Sequence, residues 1–599
     1  MLSQRQPTGQ GVFDKRYCLT ASVRPEVDSP DRLFLLAEDE ATLLQGSLFV
    51  RLVPLIDGRP VSALVAAMAP WHPAHEVLFG LMMLDDEGLL VDATVSRPAR
   101  TVELAAMAEH IAQRIRGEVA VVLVADLTMA TTIRPASGRT ATARPWVPIV
   151  LTGVRPMLGP LFRPDQAVDE PCARCLYFWL MVNRPVERYL AARRRAPVER
   201  PPRLASPLAA GKAAAYFGDV LVRAIGDRKH QLHRSILSHR LVSGGTWHPV
   251  LRRPQCTACG DPSLITERAT RPITLRSRPK VFTADGGHRI CSPEETLERY
   301  LHLVDPVTGA ASDLRPVAGR DHPMRPVYSA AWKACPIDRE PTADGFRRLA
   351  LGKGRTIAQA RAGAVCEALE RYSASWHGDE PVVHGAWADV DGAIHPDALQ
   401  LFSVRQYARR AEYNRGLSDP RMHVPPPFDE SASIDWTPAW SLTHQRRRHL
   451  PTAYCHSSRP RLLAEDGIRF DPNGHAAGNC LEEAILQGLL ERIERDAVGI
   501  WWYARTRRAA FDLAALGVPW FCALREHYAE QGFRLWALDL TTDLGIPVCA
   551  ALVRRGVGAA AQHCIGFGAH VDVGLAVQRA LTELNQLFDP IRLPAPWEV

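Results

Sequence analysis

The sequence predicts an α/β chain of several domains, and three observations predict it. Its 599 residues correspond to about four domains of ~150 residues each. Hydrophobic residues at 46% and charged residues at 23% are ordinary globular composition, which excludes a mostly disordered or fibrous chain. Helix-period and strand-period segments alternate along most of the length. They group into a winged-helix-like part over residues 1–98, an α/β part with two cysteine pairs over 99–265, and a second α/β part over 266–599.

The longest apolar runs, 119–125 and 176–182, fall far short of the ~20 residues a membrane span needs. The first residues, MLSQRQPTGQGVFDKRY, contain no apolar signal-peptide region. A cytoplasmic protein is expected, without a membrane partner. The net charge of +7, from 72 basic and 65 acidic residues, permits an anionic ligand without demanding nucleic acid. Thirteen cysteines without a secretory signal favour metal ligation or free thiols over a disulfide framework.

In the first part, 33–38 reads as a strand and 47–58 as a second strand entering the Asp57-Gly58 turn. Residues 61–68 form a short helix, and 74–86 a longer one with Val77, Leu78, Leu81 and Leu84 on one face. A strand returns over 89–93. Strands around two helices suggest a winged helix. Residues 31–92 carry three arginines against ten acids, a sign that cannot release counterions from a phosphate backbone. Two readings stand: a domain that adds a peptide as a strand, or a structural cap.

In the middle part, 101–115 reads as a helix, and 118–127 and 146–153 as strands. No GxGxxG follows them, so a dinucleotide site is not supported. The basic, proline-rich stretch 192–207 reads as an exposed linker. Cys172 and Cys175 form one C-x2-C pair, and Cys256 and Cys259 another. Four thiolates suit a closed, structural tetrahedral zinc site; a redox pair is the competing reading.

In the last part, helices recur at 356–376, 480–502 and 574–587, with a strand-like run at 546–553. The first two helices share the pattern E-x-x-E-R: Glu367, Glu370 and Arg371, then Glu491, Glu494 and Arg495. Glu483, Gln487, Glu491, Glu494 and Arg495 share one face of the second helix, with Ile485, Leu486, Leu489 and Ile493 opposite as core. A salt-bridged amphipathic face is the plain alternative. Each helix follows glycines, Gly352-Lys353-Gly354 in one and Gly474 and Gly478 in the other, which would turn backbone N–H groups toward a phosphate. Asn479 with Glu482 has capping-box spacing. Clustered carboxylates beside a phosphate cradle suit Mg²⁺ and a nucleotide, here without a P-loop. Arg579, Glu583 and Gln586 share a third helical face and could close the site, and Cys366 and Cys480 read as packing residues.

The segments GKGRT (352–356), CEALERYS (366–373) and NGHAAGNCLEEAILQGLLERIERDAV (473–498) resemble the YcaO family. More narrowly, the chain resembles the fused cyclodehydratases of thiazole/oxazole-modified peptide biosynthesis. Residues 33–60 resemble their leader-peptide recognition element, and 144–162, 172–190 and 248–262 their zinc-bearing ThiF-like domain. The resemblance implies use of ATP and Mg²⁺ to phosphorylate a backbone amide oxygen, so that Cys, Ser or Thr side chains close azoline rings. It implies that Glu367, Glu370, Glu483 and Glu494 hold Mg²⁺ and phosphates, and that Lys353, Asn479, Glu491, Arg495 and Arg579 contact the nucleotide. It further implies a precursor peptide bound through its leader, a dehydrogenase partner that oxidises azolines to azoles, and a homodimer.

Two positions depart from the family pattern. Gly363 stands where a serine is usual. The catalytic domain reads as shortened, because the sequence ends at Val599 after a proline-containing stretch over 593–596. Two further readings follow: a leader-binding scaffold without catalysis, and a thioamide-forming enzyme of the same ATP chemistry.

Overall fold

The computed structural model describes residues 12–38, 40–93, 104–133, 144–196, 198, 206–317, 322–336, 341, 345–418, 422–460, 467–557 and 561–588. It divides into two compact units, Met1–Gly260 with Pro341–Phe346, and Asp261–Glu340 with Arg347–Val599. The α/β multidomain class predicted from the sequence is what the structure shows.

The first unit opens with an antiparallel meander of Arg24–Ser29, Arg32–Leu36 and Ala41–Gln45. Leu33 and Leu35 enter a core with Leu52, Val77, Leu81 and Leu84. Phe34 packs instead against the rings of Tyr189 and Phe346, at 5.9 and 5.5 Å. The alternation follows from successive side chains on a strand leaving opposite faces. A second sheet sets Arg16–Leu19 between Asp57–Pro60 and Leu90–Asp92. Helices Val61–Met68 and Ala74–Asp86 lie where the periodicity puts them.

The expected strand over 47–58 is a correction. Ser47–Leu52 is a helix and Val53–Leu55 a 3-10 turn, and only Asp57–Pro60 is strand. Leu48 and Leu52, one helical turn apart, both reach the Gly80 position of the neighbouring helix. A short apolar run fits helix and strand alike until a partner surface selects one.

The rest of this unit holds a five-stranded sheet in the order Gly244–Pro249, Ser235–Arg240, Met157–Leu158, Trp146–Val150, Ala120–Leu123. The last two strands run parallel. Helices Leu104–Arg114 and Pro207–Gly226 cover it, with Ile111 and Phe217 in the shared core. The expected strand 118–127 is shorter, Ala120–Leu123, because Asp126 caps a turn by accepting from the Thr128 N–H at 2.9 Å. Half of the expected basic linker 192–207 (197 and 199–205) and the first residues of the expected helix 101–115 lie outside the described residues, and the linker's first residues instead complete the helix Pro185–Arg194.

The second unit repeats one device. The sheet Asp313–Pro316, Val327–Lys333, Arg347–Lys353 carries the helix Ile357–Ser373. The sheet Arg534–Asp539, Val548–Arg555, Gln562–Ala569 carries Val573–Leu587 and the long helix Leu481–Ala504. All three predicted helices and the strand at 546–553 are present, with ends shifted by a few residues. A third sheet joins Val383–Gly385, Ile434–Ser441 and Arg446–Pro451. The stretch 593–596 lies outside the described residues, and among those described no helix is long and apolar enough to cross a membrane.

The contacts of Ile357–Ser373 and Val573–Leu587 with their sheets pass through positions without a Cβ. A Cβ at Gly352 would enter the backbone of Ala360 and Ala364, and one at Gly566 or Gly568 the backbone of the helix above. Gly352-Lys353-Gly354 was expected to turn N–H groups toward a phosphate. Gly352 instead ends a strand and sets how closely the helix lies on it. Gly352→Ala is expected to cost about 1–3 kcal/mol or more through overpacking, read as a melting transition several degrees lower at unchanged secondary structure.

Candidate functional site

The long helix Leu481–Ala504 buries its acids. Glu483 and Glu494 are 8% and 7% exposed, whereas Leu489, expected in the core, is 55% exposed. Leu490 and Ala497 supply the apolar contacts, supported by Leu486 and Ile493. This inversion is stable only if the buried carboxylates are paired or hydrogen-bonded, and they are.

Glu491, Glu494, Glu367 and Glu370 line one cavity of about 500 Å³, with Glu583 from the third helix and Asp285 from a loop. Five cations alternate with these six acids: Lys353, Arg371, Arg495, Arg579 and Arg289. Lys353 Nζ lies 2.6 Å from Glu583 Oε2. Arg371 reaches Glu370 at 3.4 Å and Glu367 at 3.7 Å. Arg495 reaches Glu491 at 3.5 Å and Glu494 at 3.9 Å. Arg579 donates to Gln487 Oε1 at 2.9 Å. The Leu351 N–H donates to Glu367 and the Gly474 N–H to Glu491. The three faces read from the sequence therefore meet around one space.

Burial dominates the electrostatics. It pushes Glu494 up to about 7, helped by the Glu583 carboxylate. It pushes Glu370 up to about 7 as well, with Glu367 and Glu491 adding repulsion. Burial would also raise Glu583, but the Lys353 ammonium outweighs it and holds this group below its ordinary value. A divalent cation bound beside these raised carboxylates would displace protons from them.

Two predicted site residues are set apart from this lining. Glu483 accepts from the Ile290 N–H at 2.6 Å and the Asn479 N–H at 2.9 Å, and faces Arg289 at 4.0 Å. The Asn479 side chain pairs with Thr296. The expected capping box is a correction: the residue before the helix is Cys480, without a side-chain cap, and Glu482 accepts from Arg276 and Arg278. The phosphate cradle at the first helix is corrected too. Asp285 already occupies it, accepting from the Arg355 N–H at 2.6 Å and the Thr356 N–H at 2.9 Å.

Asp285 and Arg289 line the cavity and are residues that sequence reasoning missed. They lie in ADGGHR (284–289), where Gly286 and Gly287 have φ of 79° and 107°. The paired glycines beside an acid were the available signal. Gly363 also lines the cavity, where its Cβ position lies 3.3 Å from Gly352 Cα. A serine there would press on the strand, so a small residue suits this close crossing.

In the first unit the four cysteines converge. Cys172–Cys256, Cys175–Cys259 and Cys172–Cys175 Sγ pairs lie 3.6, 3.5 and 3.9 Å apart. A tetrahedron with Zn–S bonds of ~2.3 Å has edges of ~3.8 Å, so the donor set fits zinc. The Arg253 and Ala258 N–H groups point at Cys175 and Cys256 sulfur, at 3.3 and 3.5 Å. Among the described residues this is the tight group of potential ligands, with all four atoms within 4.8 Å of one another. The carboxylates of the other cavity are spread along its wall instead.

Together these features define an α/β protein with a closed thiolate cluster and a cleft for an anion accompanied by cations. Comparison with known proteins narrows that class. Residues 351–596 match the family model described as YcaO cyclodehydratase, ATP- and Mg²⁺-binding. An uncharacterized protein of Methanothermobacter thermautotrophicus is 30% identical over 297 residues, 49% of this chain and 69% of its own length. A heterocyclase solved in complex with substrate and cofactor is 31% identical, with a TM-score of 0.69 over 96% of this chain and 82% of that one. The heterocyclase TruD is 29% identical, with a TM-score of 0.61 over the same shares. The chain belongs to the YcaO cyclodehydratase family.

Metal analysis of the purified protein is expected to find about one zinc per chain, and Cys172→Ser to release it. Zinc retained at full stoichiometry in that variant would contradict the assignment.

Proposed function

We propose that the chain is an ATP- and Mg²⁺-dependent cyclodehydratase acting on a ribosomal precursor peptide. The observation that carries this reading is the single cavity in which six carboxylates and five cations from three helices and their flanking segments interleave. Cations alone would bind any anion, and carboxylates alone any divalent ion. The mixture suits a triphosphate carried with its magnesium.

In this reading Glu367, Glu370 and Glu494 hold Mg²⁺, which neutralises phosphate charge and polarises the γ-phosphoryl group. Glu491, Lys353, Arg495 and Arg579 contact the nucleotide. Glu483 and Asn479 act from behind, Glu483 by fixing Arg289. A Cys, Ser or Thr side chain loses its proton and adds to the preceding backbone carbonyl carbon. The resulting oxyanion takes the γ-phosphoryl group and ADP leaves. Loss of the amide proton then expels phosphate and forms the C=N bond of a thiazoline or (methyl)oxazoline. Phosphorylation makes a good leaving group of a poor one, and the cationic wall supports the charge during transfer.

The three parts then divide the work as 1–98 for the leader, 99–265 for the zinc-bearing ThiF-like scaffold and 266–599 for chemistry. Ala41–Gln45 is an edge strand with exposed residues, suited to pairing with a leader segment. Remote leader binding raises the effective concentration of core residues at the cavity. A dehydrogenase that oxidises azolines would act afterwards, and the chain would work as a homodimer.

Incubation with ATP, Mg²⁺ and the peptide encoded beside its gene is expected to remove one water per ring, read by mass spectrometry. Tight peptide binding without phosphate release would leave a scaffold instead. Glu494→Ala is expected to lower phosphate release at least ~100-fold and to leave leader affinity unchanged.

The raised carboxylates set a pH dependence. Groups whose pKa is raised on folding are favoured in their protonated form, so their contribution to stability falls as pH rises from about 4.5 towards about 7. Magnesium nucleotide reverses this by binding the ionised forms. The melting-temperature rise produced by Mg²⁺ with a non-hydrolysable ATP analogue is therefore expected to be larger at pH 8 than at pH 6. An equal or opposite difference would remove Glu370 and Glu494 from the metal site.

A further inference from the structure

The same compact unit contains a second cavity, of about 710 Å³. Cys366, Glu370, His475 and Ala477 line both cavities, so the two share a wall. Their chemistry differs. Glu370 is the one carboxylate among the second cavity's lining residues, which include no lysine or arginine. The rest of the lining is uncharged or weakly basic: Leu369, Ala374 and Ala484, the thiols of Cys366, Cys455 and Cys480, and the polar groups of Tyr300, Ser373, His456 and His475.

A space without cationic side chains does not hold a triphosphate. It suits an uncharged group that must come within reach of the neighbouring nucleotide. We propose that this second cavity receives the peptide segment undergoing reaction: the Cys, Ser or Thr side chain and the uncharged residue before it. The proposal rests on the cyclodehydratase reading and names the subsite of its second substrate.

Three features agree with that occupant. The shared wall places a peptide carbonyl beside the acidic cavity, where a phosphoryl group must be transferred. Burial pushes the Cys455 thiol up to about 12, so it stays protonated and does not compete for the phosphoryl group. His456 lines the cavity, and its Nδ1 is buried without a hydrogen-bond partner. That atom leaves hydrogen-bonding capacity for a peptide N–H.

The test uses N-acetyl-alanyl-serinamide, the smallest amide–hydroxyl unit, against the full chain carrying Mg²⁺ and a non-hydrolysable ATP analogue. Iodoacetamide alkylation of Cys480 is followed by peptide mass spectrometry. The dipeptide is expected to slow alkylation about fivefold at roughly four times its dissociation constant, by mass action. N-acetyl-aspartyl-serinamide is expected to give no protection. Ala484→Phe, which fills the cavity, is expected to abolish protection while nucleotide affinity stays at the wild-type value; loss of that affinity too would overturn the separation of the two subsites. Unslowed alkylation of wild-type Cys480 at saturating dipeptide would overturn the proposal, as would full protection by nucleotide alone. Ring formation by the wild type without dipeptide protection sinks this inference only. Protection without ring formation or phosphate release upholds the peptide pocket and sinks the cyclodehydratase reading.

Discussion

Six carboxylates share one cavity with five cations, and the second unit is built around bringing that mixture close to charge balance. A buried ionised group is tolerated only with partners: Lys353 for Glu583, Arg371 for Glu367 and Glu370, Arg495 for Glu491 and Glu494, and the Arg355 and Thr356 N–H groups for Asp285. The Arg371 and Arg495 pairs each lie within one helix, whereas Lys353–Glu583 joins a strand to a helix far away in sequence, so the helices must pack closely for the acids to share one space. Gly352, Gly566 and Gly568 let the helices lie directly on their strands, which turns the acidic faces inward. Burial raises Glu370 and Glu494, and the neighbouring carboxylates add to the shift.

The features legible in the sequence were those with a period or a spacing. The repeated E-x-x-E-R identified the two acidic helices, and their faces meet in the structure. The two C-x2-C pairs identified a cluster that closes to sulfur separations suited to zinc. What failed depended on tertiary context. Residues 47–52 are helical because Leu48 and Leu52 find a neighbouring helix, a fact absent from the local pattern. Leu489 was assigned to the core because apolar residues usually are, yet the helix presents its acids to the interior and Leu489 to solvent. Asn479 has the right spacing for a cap, but Thr296, distant in sequence, takes its side chain. Asp285 and Arg289 escaped notice because a single loop carries no periodicity.

The same contrast explains the helix N-termini. Glycines before a helix suggested a phosphate cradle, but both acidic helices meet a carboxylate at that end, Asp285 in one and Glu483 in the other. A helix N-terminus favours negative charge whatever its source. Here the protein supplies the charge itself, and the dipoles serve to hold the loops that carry Asp285 and Arg289. Recognition of an external phosphate is left to side chains, which can be spaced along a triphosphate as a single helix end cannot.

Separation of charge between the two adjoining cavities has a chemical consequence. Transfer of a phosphoryl group to an amide oxygen competes with transfer to any other nucleophile within reach, water and side chains included. In the proposed reaction the acidic cavity would limit this because its carboxylates are paired with cations. The neighbouring cavity would limit it because burial keeps its Cys455 thiol protonated. An oxyanion generated on a bound peptide would then be the strongest nucleophile present at the shared wall. Selectivity would follow from the acid–base state of the surroundings, without a dedicated group that recognises the amide.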